Sequence, residues 1–153
     1  TELNQNQSDH YIQKGDFTGL SEFQKTLLCN KLSEMYGLDP RMGYIACIKL
    51  KDRFIPYVRA AGVMELSRPL IKTIRLSEPK WLLGKGEIPR AVFIMATVET
   101  TSGHVIEEIG ASDLSGETGF DIMRASTRAR TRALKLAVGI HLLSDTELNE
   151  RAK

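Results

Sequence analysis

Cysteine is scarce in this chain, two among 153 residues, and neither Cys29 nor Cys47 has a second Cys or a His at metal-ligand spacing. Disulfide staples and zinc modules are excluded as the organising device, and buried thiols in a reducing compartment are expected instead. Histidine is equally thin. His10, His104 and His141 are scattered, which suits surface or packing roles better than ligation. No apolar stretch reaches the ~18 residues of a membrane-spanning helix, and no signal-peptide pattern opens the chain. A soluble, intracellular protein with no membrane partner is the expectation. The run GKGEIP at 84–89 lacks the GxxxxGK[ST] order of a phosphate-binding loop, so no nucleotide site is expected there. The opening on Thr1 rather than Met points to a trimmed chain.

What is present is ordinary globular material, 42% hydrophobic and 26% charged, with a net charge of only +2. Against that balance residues 121–139, DIMRASTRARTRALKLAVG, carry four Arg and one Lys against one Asp, a net of +4, which leaves the remainder at −2. No Pro interrupts the run, and Gly139 supplies a helix stop. At about 100° per residue, Arg124, Arg128, Arg132 and Lys135 share one stripe, with Ile122, Ala125, Ala129, Ala133, Leu136 and Ile140 on the adjoining one. Small alanines let such a helix approach its support closely. No acid stands four residues from any of these arginines, and only Asp121, three before Arg124, is close. A solvated helix face is the bland reading of such a stripe; a phosphate-backbone contact is the sharper one.

Along the chain, residues 1–14 are polar and rich in Asn and Gln, and read as a flexible arm ahead of a single domain over 15–153. Ser21 with Gln24 forms a capping-box pattern that opens a helix closed by Gly37, with Phe23, Leu27, Leu28, Leu32, Met35 and Tyr36 as its apolar face and Lys25, Lys31 and Glu34 as its solvated side. A strand at 44–50, a Lys51-Asp52 turn and a strand at 53–58 make a hairpin, with Pro56 placed at an edge or bulge. Lys49, Lys51 and Arg53 at its tip, with Tyr57 and Arg59 further along, interleave cations with an aromatic. That composition suits a single-strand contact surface, although hairpin tips are ordinarily polar. A short helix at 59–67, a strand at 70–76, a loop at 77–89, and a second hairpin from 91–99 and 104–111 complete the order. The fold class is α+β, an antiparallel sheet with hairpins and a long basic helix packed across it.

Three passages in this order resemble the annealing domain of the Rad-fifty-two family and its relatives among phage single-strand annealing proteins: FIPYVRAAGVMEL, AVFIMATVETTSGHVIEEIGA and STRARTRALKLAVGI, within residues 54–139. The resemblance implies an oligomeric ring whose groove holds single-stranded DNA by its backbone with bases outward. Its motif falls on Arg132, Ala133, Leu134 and Lys135; its hairpin aromatic falls on Tyr57; its hairpin cation falls on Lys49, Lys51 or Arg53. Two departures stand out, a short Lys51-Asp52 turn in place of a Gly-rich tip, and Thr131 where a second Lys is expected. The implied activity is annealing in recombination and DNA repair, with no catalytic residue, no metal and no cofactor. The implied partners are single-stranded DNA, further copies of the chain, and a single-strand-binding protein or recombinase, in the cytoplasm of a bacterial or phage-infected cell or in a nucleus. Two other classes stay open on the residues. A metal-dependent nuclease would draw on Glu78 and Lys80 with Asp52, Glu107, Glu108 and Asp113, and an adaptor would dock the basic helix on an acidic protein.

Overall fold

The computed structural model describes residues 2–151. The chain forms two compact units, one from residues up to Gly62 joined by those from Leu142 onward, the other from Val63–His141, where a single domain over 15–153 was expected. Both are α+β with antiparallel pairing, as the strand and helix patterns indicate.

In the first unit the expected flexible arm is instead helix α1, Gln5–Lys14. Asn4 and Gln7 form a reciprocal capping box, and Gly15 ends the helix in the left-handed conformation, so local capping outweighs a polar composition. Helix α2, Glu22–Met35, starts at the expected Ser21–Gln24 capping box. Its core face is Leu28, Cys29 and Leu32, while Phe23 and Met35 are exposed. Lys25, read as solvated, is buried: its Nζ lies 3.3 Å from the Phe54 ring centroid and 3.0 Å from Glu22 Oε1. A cation over an aromatic face with its own counter-ion is a stable way to bury ammonium. Strands β1, Ile45–Leu50, and β2, Arg53–Val58, pair from Ile45↔Val58 to Leu50↔Arg53. Strand β7, Leu143–Ser144, adds in parallel at Tyr57 and Val58 only, so Pro56 stands where no further strand needs its missing N–H. Helix α5, Asp145–Arg151, lends the Asp145 carboxylate to the Ala60 N–H (3.2 Å) at the start of α3, Ala60–Ser67, within which the two units meet in sequence.

The second unit is built on β5, Pro89–Thr100. One of its edges carries β6, Val105–Asp113, through an antiparallel hairpin. The other carries β3, Ile71–Leu76, and then β4, Lys80–Leu83, end to end. Strand β4 falls inside the stretch expected to be a loop; Pro79 and the glycines obscure a run of Trp81, Leu82 and Leu83 that pairs well with β5. Val92, Ile94, Ala96 and Val98 on β5 are buried beneath α4, Thr118–Val138, and Gly139 ends that helix in the left-handed conformation. Ala125, Ala129 and Ala133 are fully buried. Gly110 of β6 lies directly under them: a Cβ added there would overlap the Ala125 carbonyl and the Ala129 amide, and would stand 2.9 Å from Ala129 Cα. Helix backbone touches strand backbone.

Gly110→Ala therefore forces two backbones apart, and we expect it to cost about 3 kcal/mol or more, at the upper end of overpacking penalties. Urea unfolding monitored by circular dichroism measures this, and a loss below about 1 kcal/mol would show that the contact is adaptable.

Candidate nucleic-acid interface

The nine residues picked out by the sequence divide between the units. Lys49, Lys51, Arg53, Tyr57 and Arg59 belong to the first, and Arg124, Arg128, Arg132 and Lys135 to the second.

On the hairpin the cations are in solvent. Lys49, Lys51, Arg53 and Arg59 are exposed and Tyr57 is half-buried. Strand alternation puts Arg53 and Tyr57 on one face with Ile55 between them, whereas Lys49, opposite Phe54, belongs to the face that carries Cys47 and Pro56. Lys51 occupies the turn with φ 57°, the left-handed region, so its side chain projects from the tip. Arg53 Nε approaches Asp16 Oδ2 at a loose 3.9 Å. Thr18 donates from both its hydroxyl and its N–H to Asp16, which holds that carboxyl below the ordinary carboxylate range. The turn end of the hairpin is thereby tied to the segment before α2. Behind it, burial pushes the Cys29 thiol up to about 12 and raises Cys47 too, so both thiols are held protonated.

On α4 the arrangement differs from the expected open stripe. Arg128 is 6% exposed and its Nη1 donates to the Ala111 carbonyl at 2.7 Å. Arg132, half-buried, donates from Nη1 to the Ile109 carbonyl at 2.9 Å. The reason is the edge of the sheet. Thr100 N–H donates to the His104 carbonyl (2.8 Å) and Leu114 N–H to the Arg90 carbonyl (3.2 Å), so even-numbered residues of β6 face β5 and the carbonyls of Ile109 and Ala111 point outward. The two arginines, four apart on one helix face, satisfy two carbonyls, two apart on one strand. Arg124 pairs with buried Asp121 at 3.1 Å, lies 5.0 Å from the Phe120 ring, and has a buried Nε with no acceptor. Lys135 sits half-buried in the last turn. The stripe exists on the wheel, but Arg128 is a structural cap rather than a surface contact, and Arg132 has both a capping bond and an exposed part.

The sequence marked Asp121 only as the acid three residues before Arg124, and the structure gives it a larger role. Its carboxylate accepts from Ser115 N–H (2.9 Å), Ser115 Oγ (2.7 Å) and Arg124 Nη2 (3.1 Å), closing the loop at 114–117 onto α4. The signal was the Ser115-to-Asp121 spacing across a Gly-bearing loop. The acids weighed for a metal site, Asp52, Glu78, Glu107, Glu108 and Asp113, form no group of three or more His, Cys, Asp or Glu able to hold an ion among the described residues.

Hydrogen bonding from the Ser115 backbone, opposed by burial and assisted by the Ser115 hydroxyl and Arg124, lowers the Asp121 pKa. A depressed folded-state pKa contributes stability above the unfolded value of about 3.9 and loses it as pH falls through the folded one. We expect Asp121→Asn to be less stable than the parent at pH 7 and to show a shallower loss of stability below about pH 4. Thermal melts across pH 2–7 measure the difference, and parallel curves for the two proteins would contradict it.

Neither the protein-family models nor the curated proteins compared with this chain give a match.

Proposed function

We propose that this protein binds single-stranded DNA through its phosphate backbone and promotes annealing of complementary strands in recombination and repair, acting as a homo-oligomeric ring. The observation that carries the reading is the hairpin: Arg53 and half-buried Tyr57 share one face, Lys51 stands in the turn and Arg59 follows the strand, the three cations being exposed. Cations grip phosphates without reading base edges, and an aromatic beside them offers a stacking surface that tolerates any base. In the second unit, half-buried Arg132 is a guanidinium oriented by its bond to the Ile109 carbonyl. Arg124, held by Asp121 at 3.1 Å, places a further, partly exposed cation near the start of α4. Annealing needs strands extended and aligned, which binding energy supplies without a nucleophile or a cofactor. The three passages within residues 54–139 that resemble the Rad-fifty-two annealing domain support the same reading.

If four phosphates are neutralised per protomer, log Kd against log salt has a slope on the order of 3 in magnitude. Replacing Lys51 and Arg53 by Ala removes two of them, lowering that slope by roughly 1.4 and weakening binding about tenfold or more at low salt. Fluorescence anisotropy with a labelled oligonucleotide at several salt concentrations tests this. A flat salt response with strong base preference would overturn the backbone-binding reading, and an unchanged slope in the double variant would remove the hairpin from it.

A further inference from the structure

The two edges of the sheet in the second unit are unlike. The β6 edge is closed at Ile109 and Ala111 by Arg132 and Arg128. The opposite edge, formed by β3 and β4, pairs with β5 alone, and no side-chain hydrogen bond caps it among the described residues. Because even-numbered residues of β5 face β6, its odd-numbered residues serve β3 and β4. The pairs Arg75↔Thr97, Lys80↔Phe93 and Leu82↔Ala91 therefore use their backbone groups inward. The N–H and C=O groups of Ile74, Leu76, Trp81 and Leu83 are left pointing out from the edge.

The side chains along this edge are also bare. Ile74, Leu76, Trp81 and Leu83 are 37%, 38%, 39% and 53% exposed and share the sheet face opposite that of Arg75 and Lys80. Residues 71–90 carry five cations against two acids. Lys72 meets Glu99 at 3.4 Å, but Arg75 and Lys80 enter no ion pair among the described residues. Charge and a proline on an edge ordinarily turn other strands away. Here the balance is cationic, with Glu78 and Glu87 the only acids in the stretch, and an acidic strand is the kind it repels least.

We propose that the outer edge of β3 and β4 takes an extended acidic peptide of a partner protein by strand addition, its acidic residues beside Arg75 and Lys80 and its alternate apolar residues beside Ile74, Leu76, Trp81 and Leu83. Open backbone groups provide the ladder, and the period of two sorts the side chains. Residues 77–79 break the edge between β3 and β4, with Ser77 N–H donating to the Met95 carbonyl (2.8 Å) and Met95 N–H donating to Ser77 Oγ (2.9 Å), and a register shift between Leu82 and Leu83 interrupts β4, so each paired stretch is limited to a few residues. A second copy offering its β6 edge fits less well, since its outward carbonyls at Ile109 and Ala111 are already taken.

Trp81 is the sole tryptophan, so its emission reports on this edge directly. The probe is an N-acetylated, fluorescein-labelled octapeptide alternating Asp and Val, added to the full chain. Saturable anisotropy with a shift in Trp81 emission is expected, with binding about tenfold weaker when Lys replaces Asp. Methylating alternate amides of the peptide should abolish binding for one of the two alternating sets and spare it for the other, a signature that side-chain contacts alone do not give. Arg75→Glu with Lys80→Glu should reverse the charge preference. Should that variant fail to fold, the methylated peptides on the parent protein decide. Equal binding of the acidic and basic peptides, or indifference to both methylation patterns, overturns the proposal. So does displacement of the peptide by a single-stranded oligonucleotide that itself shifts Trp81, or a homo-oligomer that dissociates on charge reversal. These outcomes leave the hairpin reading of single-strand binding standing or falling on its own salt test.

Discussion

Backbone contact between α4 and β6 at Gly110 is the constraint on which the second unit depends. With no side chain at Gly110 and only methyl groups at Ala125, Ala129 and Ala133, the helix lies as close to the sheet as atoms allow. That height brings the stems of Arg128 and Arg132 within reach of the β6 edge and fixes which carbonyls their guanidinium groups meet. A larger residue at either partner would lift the helix and break the edge cap together with the packing. Close approach, edge protection and orientation of the cations are consequences of one choice of small residues.

The same contact changes the meaning of the charge on α4. A net of +4 on one helix suggests a polyanion surface when read as a wheel, yet two of its arginines are committed to strand carbonyls and a third to Asp121. Guanidinium is well suited to that double use, because five donors in a rigid fork can satisfy a carbonyl and still present N–H groups elsewhere. Arg132 is half-buried beside the Ile109 carbonyl, while Arg128, buried, has a structural role. The hairpin of the first unit, less conspicuous in composition, presents its cations with far fewer internal commitments.

Legibility in the sequence followed the locality of the interactions. The Ser21–Gln24 cap, the bounds of β2, the second hairpin and the Gly139 stop are decided within a few residues and were readable. Strand β4 was hidden by its neighbours Pro79 and Gly84, since its pairing with β5 depends on partners distant in the chain. Helix α1 was hidden by polar composition, although the Asn4–Gln7 spacing was there to be seen. Burial of Lys25 over Phe54, and of Arg128 against Ala111, could not be inferred from helical periodicity, because both depend on what lies across from the helix. The cations on the hairpin are exposed and Tyr57 is half-buried, whereas the candidates on α4 are half absorbed by the fold.

In the proposed function, positioned cations, with no nucleophile, bring complementary single strands together. The most direct measurement is the rate at which two labelled complementary oligonucleotides form duplex, followed by energy transfer, with the protein in a buffer free of nucleotide and divalent metal. The account predicts acceleration proportional to strand occupancy, suppressed by salt in step with binding. Binding without acceleration, or strand cleavage on addition of magnesium, would contradict it.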